Sequence, residues 1–237
     1  MSHQVFPANV KNLALTPLKP ELTALIEGLK SSGETVQSLG SNQFLVEKLS
    51  LGLGLGGHSK SEFAARASRA LTSNSQVENL FCCGTSGSLT ETAKPLDVVV
   101  GKSTTEHDFH SKFLNTGKLP VFESSLFSKL SEFAIHENTS YSTHIGGIAS
   151  GNEDIVSRQR ATELHLKTQC LVVAWEGAGG ARAALANSVN YLEIRAVSDV
   201  CDNQTESQFQ QNLSPSMKNC ASVLLKVLQA LGASGFS

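Results

Sequence analysis

Short apolar runs alternate with amphipathic stretches along most of the chain, and this alternation predicts its elements. Asn12 to Thr16 reads as a strand stopped by Pro17, and Pro20 opens a helix with Leu22, Leu25, Ile26 and Leu29 on one face. Residues 43 to 55 predict one or two strands with a turn. SKSEFAARASRALTS follows as a helix with Ser59 or Ser61 as cap. Leu80 to Cys83 predicts a short strand entering a Gly/Ser/Thr loop, and LDVVVG and Ile145 to Ala149 predict two more. The run CLVVAW (170 to 175) is apolar on both faces, as a strand covered by helices on two sides must be. GAGGARAALANSV is a helix rich in small residues and YLEIRAVSD a strand. The last helix is expected to be capped by Ser214 with Pro215 in its first turn. Met217, Cys220, Leu224, Val227, Leu228 and Leu231 recur on it at helical spacing. Strands alternating with helices predict an α/β sandwich, with a mostly parallel central sheet, in a single domain over residues 1 to 237.

Composition narrows the function. With 19 Lys+Arg against 21 Asp+Glu there is no basic face for nucleic acid, and at 6% aromatic residues few rings are available for stacking on single strands. No apolar run reaches the ~20 residues of a membrane helix, and the start lacks the order of a signal peptide, so a cytoplasmic protein is expected. Cys82, Cys83, Cys170, Cys201 and Cys220 form no C-x-x-C pair and are expected as buried thiols, with no metal or cofactor.

Several motifs carry candidate chemistry. Gly52 to Gly57 satisfies G-x-G-x-x-G, but a strand precedes it and the nearest acid, Glu78, comes before its strand. A glycine turn allowing close backbone approach is the better reading than a dinucleotide site. Gly84-Thr85-Ser86-Gly87 lacks the G-x-S-x-G elbow of esterases, because Ser88 occupies the last place. His107-Asp108-Phe109-His110 reads as a solvated loop rather than a metal cluster. Glu176 and Asp199 stand just past neighbouring apolar strands, where α/β sheets place ligand clefts; the alternative is that both are helix N-caps.

CGTSGSLTETAKPLDVVV, EHDFH, GIASGN, VAWEGAGGARAA and IRAVSDVCDN, together with ALTPLKPELTALIEG near the start, resemble the nucleoside phosphorylase and nucleosidase superfamily. The similarity is greatest to methylthioadenosine/S-adenosylhomocysteine nucleosidases. The resemblance implies a three-layer αβα sandwich whose twisted mixed sheet partly curls into a barrel. It also implies hydrolysis of the N-glycosidic bond of a 5′-thio-adenosine-type nucleoside, as in methionine salvage. It assigns Asp199 to protonating the purine at N7, Ser198 to orienting that acid, and Glu21 to activating water with Arg195 nearby. Glu176 would grip the ribose hydroxyls, Trp175 stands where methionine is usual, and Thr85, Ser86 and Gly87 flank ribose and base. Asp154 and Ile155 replace an aromatic that stacks on adenine, and Phe113 and Pro120 resemble a loop reaching a neighbour's site, which implies a homodimer. The alternatives are a purine nucleoside phosphorylase and a nucleoside-binding relative without catalysis. Against phosphate, Cys82 occupies the place of a phosphate-binding arginine, leaving His58 and Lys60 as cations.

Overall fold

The computed structural model describes residues 5–111, 118–130 and 140–233. The strands are β1 (Asn12–Thr16), β2 (Gln37–Gly40), β3 (Gln43–Val46), β4 (Leu51–Leu55), β5 (Asn79–Ser88), β6 (Val98–Glu106), β7 (Val121–Glu123), β8 (Thr143–Ser150), β9 (Cys170–Ala174) and β10 (Asn190–Asp199). The helices are α1 (Lys19–Ser31), α2 (Lys60–Ser73), α3 (Arg158–Thr168), α4 (Gly177–Ala186) and α5 (Thr205–Ala233). One sheet contains all of these strands in the path β10-β6-β8-β9-β5-β1-β4-β3-β2, with β7 on β6. A second pairing, β10 with β5, closes β10, β6, β8, β9 and β5 into a ring. Half of the sheet is therefore a small barrel, and the other half is open.

Residue alternation distributes the core. On β1, Leu13 and Leu15 pack with Phe63, Ala67 and Ala184 of α2 and α4, while Ala14 faces Leu22, Leu25 and Leu224 of α1 and α5. Period-2 strands between period-3.6 helices give the expected three layers. Helix α3 packs separately on the β8–β9 edge through Ala161 and Leu164. Among the described residues no helix is long and apolar enough to cross a membrane.

Several expectations need correction. The sheet is evenly mixed: β1–β4, β1–β5, β5–β10, β6–β8 and β8–β9 are parallel, and β2–β3, β3–β4, β5–β9, β6–β7 and β6–β10 are antiparallel. The Gly84 to Gly87 stretch is strand and not loop, because β10 pairs with it as far as Asp199↔Gly87. Tertiary pairing outweighs local composition there. Helix α5 begins at Thr205, nine residues before the expected cap, and carries Pro215 in its interior. Proline removes a single backbone donor, while Met217, Cys220 and Leu224 of the same helix are fully buried and hold it in place. The strands β2 and β7 and the helix α3 had no counterpart in the sequence reading. Gly56 bears out the close-approach reading of its motif, since a Cβ there would lie 2.2 Å from the Phe63 ring. The His107 to His110 motif is a connecting segment as expected, but His107 is 1% exposed, so only the part from Asp108 to His110 is solvated.

Helix α1, whose first turn carries Glu21, lies against α5 through Gly28. A Cβ at Gly28 would meet the Ala221 Cβ at 2.6 Å and the Lys218 Cα at 2.9 Å. Backbone atoms cannot step aside, so overpacking outweighs the ~1 kcal/mol that alanine gains over glycine in a helix. Gly28→Ala is expected to lower the melting temperature by several degrees, at roughly 2–4 °C per kcal/mol for this size. An unchanged or raised melting temperature in calorimetry would show that α1 is free to move off α5.

Candidate active site

Where the barrel meets the open half, β5, β9 and β10 expose their ends to one cleft of about 500 Å³, within the size range of small-ligand sites. Its lining includes Glu21, Thr85, Ser86, Gly87, Asp154, Ile155, Trp175, Glu176, Arg195, Ser198 and Asp199. Every residue that the resemblance singled out is thus gathered here, with two exceptions. Phe113 lies outside the described residues. Pro120 accepts a backbone bond from Glu106 (2.9 Å) and does not line the cleft of its own chain.

Strand direction sets the spacing of the acids. Strand β9 runs antiparallel to β5, with Val173 opposite Gly87, whereas β10 runs parallel to β5, with Asp199 opposite Gly87 and Arg195 opposite Gly84. The chain leaving β9 therefore carries Glu176 back toward Arg195 and away from Asp199. Glu176 Oε2 accepts from the Arg195 guanidinium at 3.1 Å. Glu21 belongs to the same end: its Oε1 accepts from the Thr85 N–H (2.7 Å) and hydroxyl (2.6 Å). Four residues of strand separate Arg195 from Asp199, on the order of 10 Å at ~3.3 Å per residue with a bulge between. Two carboxylates thus sit at one end of the cleft and a third at the other.

The bulge has its own effect. Consecutive residues on a regular strand face opposite ways, yet Ser198 and Asp199 both line the cleft. The register shift between Val197 and Asp199 turns both inward. The Ser198 hydroxyl lies 2.7 Å from Asp199 Oδ2 and 3.2 Å from the Ser86 carbonyl. A hydroxyl has one proton. Ser198 can donate it to an ionised Asp199, or donate to Ser86 and accept from a protonated Asp199, so both states are accommodated. Cys201 N–H and the Thr205 hydroxyl donate to the other oxygen, at 3.0 and 3.2 Å.

The environments divide the acids chemically. Burial pushes the Asp199 carboxyl above its ordinary value, against the opposing bonds from Ser198, Cys201 and Thr205. Burial also raises Glu21, partly offset by the two Thr85 bonds. Glu176 is nearly as buried, but the His58 hydrogen bond and the Arg195 charge outweigh desolvation and hold it below the usual carboxylate range. Glu176 does occupy the N-cap position of α4, yet its side chain makes no cap hydrogen bond. Its oxygens are directed to the cleft cations instead.

Glu193 and Phe209 were missed in the sequence, and His58 was weighed there only as a cation for phosphate. Glu193 is 1% exposed and pairs with Arg195 Nε at 2.7 Å, while the Thr104 hydroxyl donates to its other oxygen at 2.6 Å. The E-x-R spacing on a single strand face was a usable signal for this pair. His58 bonds Glu176 Oε1 at 3.2 Å. Phe209 lines the cleft from the first turns of α5, in the stretch that the sequence reading left out of the helix. Among the described residues no cluster of His, Cys, Asp and Glu could hold a metal ion.

The model of the phosphorylase superfamily matches residues 16–229. The chain belongs to the phosphorylase superfamily. A 5′-methylthioadenosine/S-adenosylhomocysteine nucleosidase of Thermotoga maritima is 28% identical over 149 residues, 63% of this chain and 66% of that one. An aminodeoxyfutalosine nucleosidase of Helicobacter pylori is 27% identical over 161 residues, covering 65% and 70%. In fold, the superfamily member from Streptococcus pneumoniae, a 5′-methylthioadenosine/S-adenosylhomocysteine nucleosidase solved with a transition-state inhibitor, superposes with a TM-score of 0.79 at 24% identity, over 93% of this chain and 99% of that one. A futalosine hydrolase of Helicobacter pylori gives 0.76 at 20%, over 93% and 98%.

The raised Asp199 carboxyl has a measurable consequence. Its stabilising contribution is complete below the unfolded value of 3.8 and is lost as pH climbs through the folded value, because the native state then holds a buried charge. In Asp199→Asn the amide can donate to Ser198 while its oxygen keeps the Cys201 and Thr205 bonds. The variant is expected to gain stability relative to wild type as pH rises from about 4 toward neutrality, read from denaturant melts across that range. A gap that shrinks with pH would contradict the assigned environment.

Proposed function

We propose that this enzyme hydrolyses the N-glycosidic bond of a purine nucleoside, of the 5′-thio-adenosine class. The separation of one protonatable carboxyl, Asp199, from the pair Glu21 and Glu176 is the observation that carries the reading. A glycosidic bond breaks through a cation-like ribosyl transition state, which asks for an acid at the leaving group and negative charge near the sugar. Asp199 protonates N7, and the C1′–N9 electron pair leaves with the base. Water held by Glu21 adds to C1′ and gives its proton to that carboxylate, releasing free purine and free sugar. Glu176 has one protein donor on each oxygen, and a carboxylate accepts about four bonds. Two acceptor sites remain for the two hydroxyls of the ribose. Phe209, one turn beyond Thr205, supplies an aromatic surface on the base side that Asp154 and Ile155 do not.

Charge supports water over phosphate. Glu21, Glu153, Asp154, Glu176, Asp199 and Glu206 line the cleft against a single arginine. Four of the five Arg195 N–H donors are already met, by Glu193, Glu176, Cys82 and the Thr85 carbonyl. Of the other two cations weighed for phosphate, Lys60 bonds Glu106 at 2.8 Å and Asp108, and His58 bonds Glu176 at 3.2 Å. A phosphate dianion would meet repulsion with no fork of free donors. The five cysteines are all free and buried, which suits a reducing compartment and supports a cytoplasmic enzyme. A homodimer remains part of this proposal. The relatives named for methylthioadenosine and for aminodeoxyfutalosine differ in the 5′ group, and a 5′-thio substrate places the enzyme in methionine salvage.

Base release from methylthioadenosine is expected at equal rates with and without excess phosphate, with free sugar as product in chromatography. A phosphate requirement and a sugar 1-phosphate would make this a phosphorylase instead. Asp199→Asn is expected to lower turnover at least ~10²-fold while remaining folded, since an amide cannot protonate N7. Near-normal turnover would remove Asp199 from the acid role.

A further inference from the structure

The ribose-facing carboxylate has a second neighbour besides Arg195. His58 sits in the turn between β4 and α2, outside the strands that build the cleft. Its ring stacks on Trp175, with centroids 4.2 Å apart and planes 22° from parallel. Its Nδ1 lies 3.2 Å from Glu176 Oε1. Its backbone N–H donates to Glu62 Oε2 at 3.1 Å, which anchors the turn to the first turn of α2. A stacked face, a bonded edge and a tethered backbone together fix the orientation of a half-exposed imidazole. Trp175 precedes Glu176 directly, so one ring holds the ring that holds the next residue's carboxylate.

We propose that His58 is a positioning residue for Glu176: stacked on Trp175 and bonded to Oε1, it fixes the carboxylate plane that the substrate's vicinal diol must meet. This deepens the nucleosidase reading and rests on it for the identity of the diol. Arg195 fixes Oε2 from the buried side, and one contact alone would leave the carboxylate free to rotate about it. With both oxygens held, their remaining lone pairs face the cleft in a set geometry, which lowers the ordering cost of binding. The pairing also accounts for tryptophan at 175, since methionine has no ring on which an imidazole can lie flat.

The charges around His58 are consistent with this role. Glu176 from the start of α4 faces it directly, Glu21 of α1 and Asp154 of the segment after β8 add to its negative surroundings, and Glu62 of α2 touches its backbone. Lys60, two residues on, is committed to Glu106 and Asp108. The Glu176 hydrogen bond raises His58 above its ordinary 6.5, partial burial opposing it. The imidazolium therefore persists toward neutral pH, where its bond to a carboxylate is charge-assisted.

Trp175 is the only tryptophan of the chain, and a protonated imidazole stacked on indole quenches its fluorescence. The test is a fluorescence pH titration of the wild type, His58→Gln and Glu176→Gln, with KM and kcat for methylthioadenosine measured on wild type and His58→Gln. The wild type is expected to brighten with rising pH, with a midpoint above 6.5. His58→Gln should lack the transition, and Glu176→Gln should shift it downward. His58→Gln should raise KM about two- to tenfold, the worth of one hydrogen bond, with a smaller effect on kcat. A midpoint at or below 6.5, a transition that survives in His58→Gln, or a KM unchanged or lowered by that substitution would overturn the proposal. Absence of base release by the wild type would reject the nucleosidase reading alone. The fluorescence titrations would still decide whether His58 and Glu176 are coupled.

Discussion

A guanidinium withdrawn from water costs several kcal/mol unless its donors are met, and at Arg195 the fold meets them from several directions. The side chain is 1% exposed. Nε is taken by Glu193 two residues away on the same face of β10. The terminal nitrogens reach Cys82 and the Thr85 carbonyl on β5 and Glu176 after β9. Loss of any of these partners would leave part of a buried cation unpaired, so one side chain ties β10 to β5 and to the chain after β9. The same commitments leave this arginine no bidentate fork for a phosphate. It is a buried counter-charge to Glu176.

Four buried carboxyls share this small region, and environment alone separates their tasks. Glu193 and Glu176 both contact Arg195, yet burial dominates at Glu193 and raises it, while the added His58 bond lowers Glu176. Thr104 and Arg195 occupy both oxygens of Glu193 from within the protein, so it is a supporting group and never a substrate contact. Glu21 has three protein donors, from Leu18 and Thr85, and is oriented by the N-cap of its own helix and by β5. Asp199 is held through a hydroxyl that can reverse its donation. In the proposed reaction the same carboxyl chemistry thereby serves as counter-ion, ribose clamp, base and acid.

The local sequence contained the period-2 and period-3.6 patterns, and these located β1, β4, β9, β10, α1, α2 and α4. It did not contain what depends on pairing at a distance. The Gly-Thr-Ser-Gly stretch looks like a loop until β10 lies beside it. Ser214-Pro215 imitates a helix start, and that imitation hid the turns of α5 that bring Thr205 and Phe209 to the cleft. Helix α3 buries only Ala161 and Leu164, too faint a stripe to stand out. Glu176 and Asp199 were legible as carboxylates beyond apolar strands, but on the premise of a mostly parallel sheet. The two strands in fact deliver them to opposite ends of the cleft, and that opposition gives the site its length.

Rigidity is distributed unequally around the cleft, and this bears on what evolves there. Arg195 is paired on both sides of β10, Ser198, Asp199 and the Thr85 to Gly87 stretch lie along the β5–β10 ladder, and Glu176 follows directly from β9. A displaced chemical group would require the ring itself to shift. The opposite wall comes from connecting segments and helix starts: His58 before α2, Glu153 to Val156 after β8, and Thr205 to Phe209 at the start of α5. These can change without disturbing a ladder hydrogen bond. The departures from the usual nucleosidase pattern at Asp154 and Ile155, and the imidazole placed on Trp175, concentrate on that wall or touch it. On the proposed function, chemistry is therefore carried by the closed ring and substrate choice by the segments laid over it.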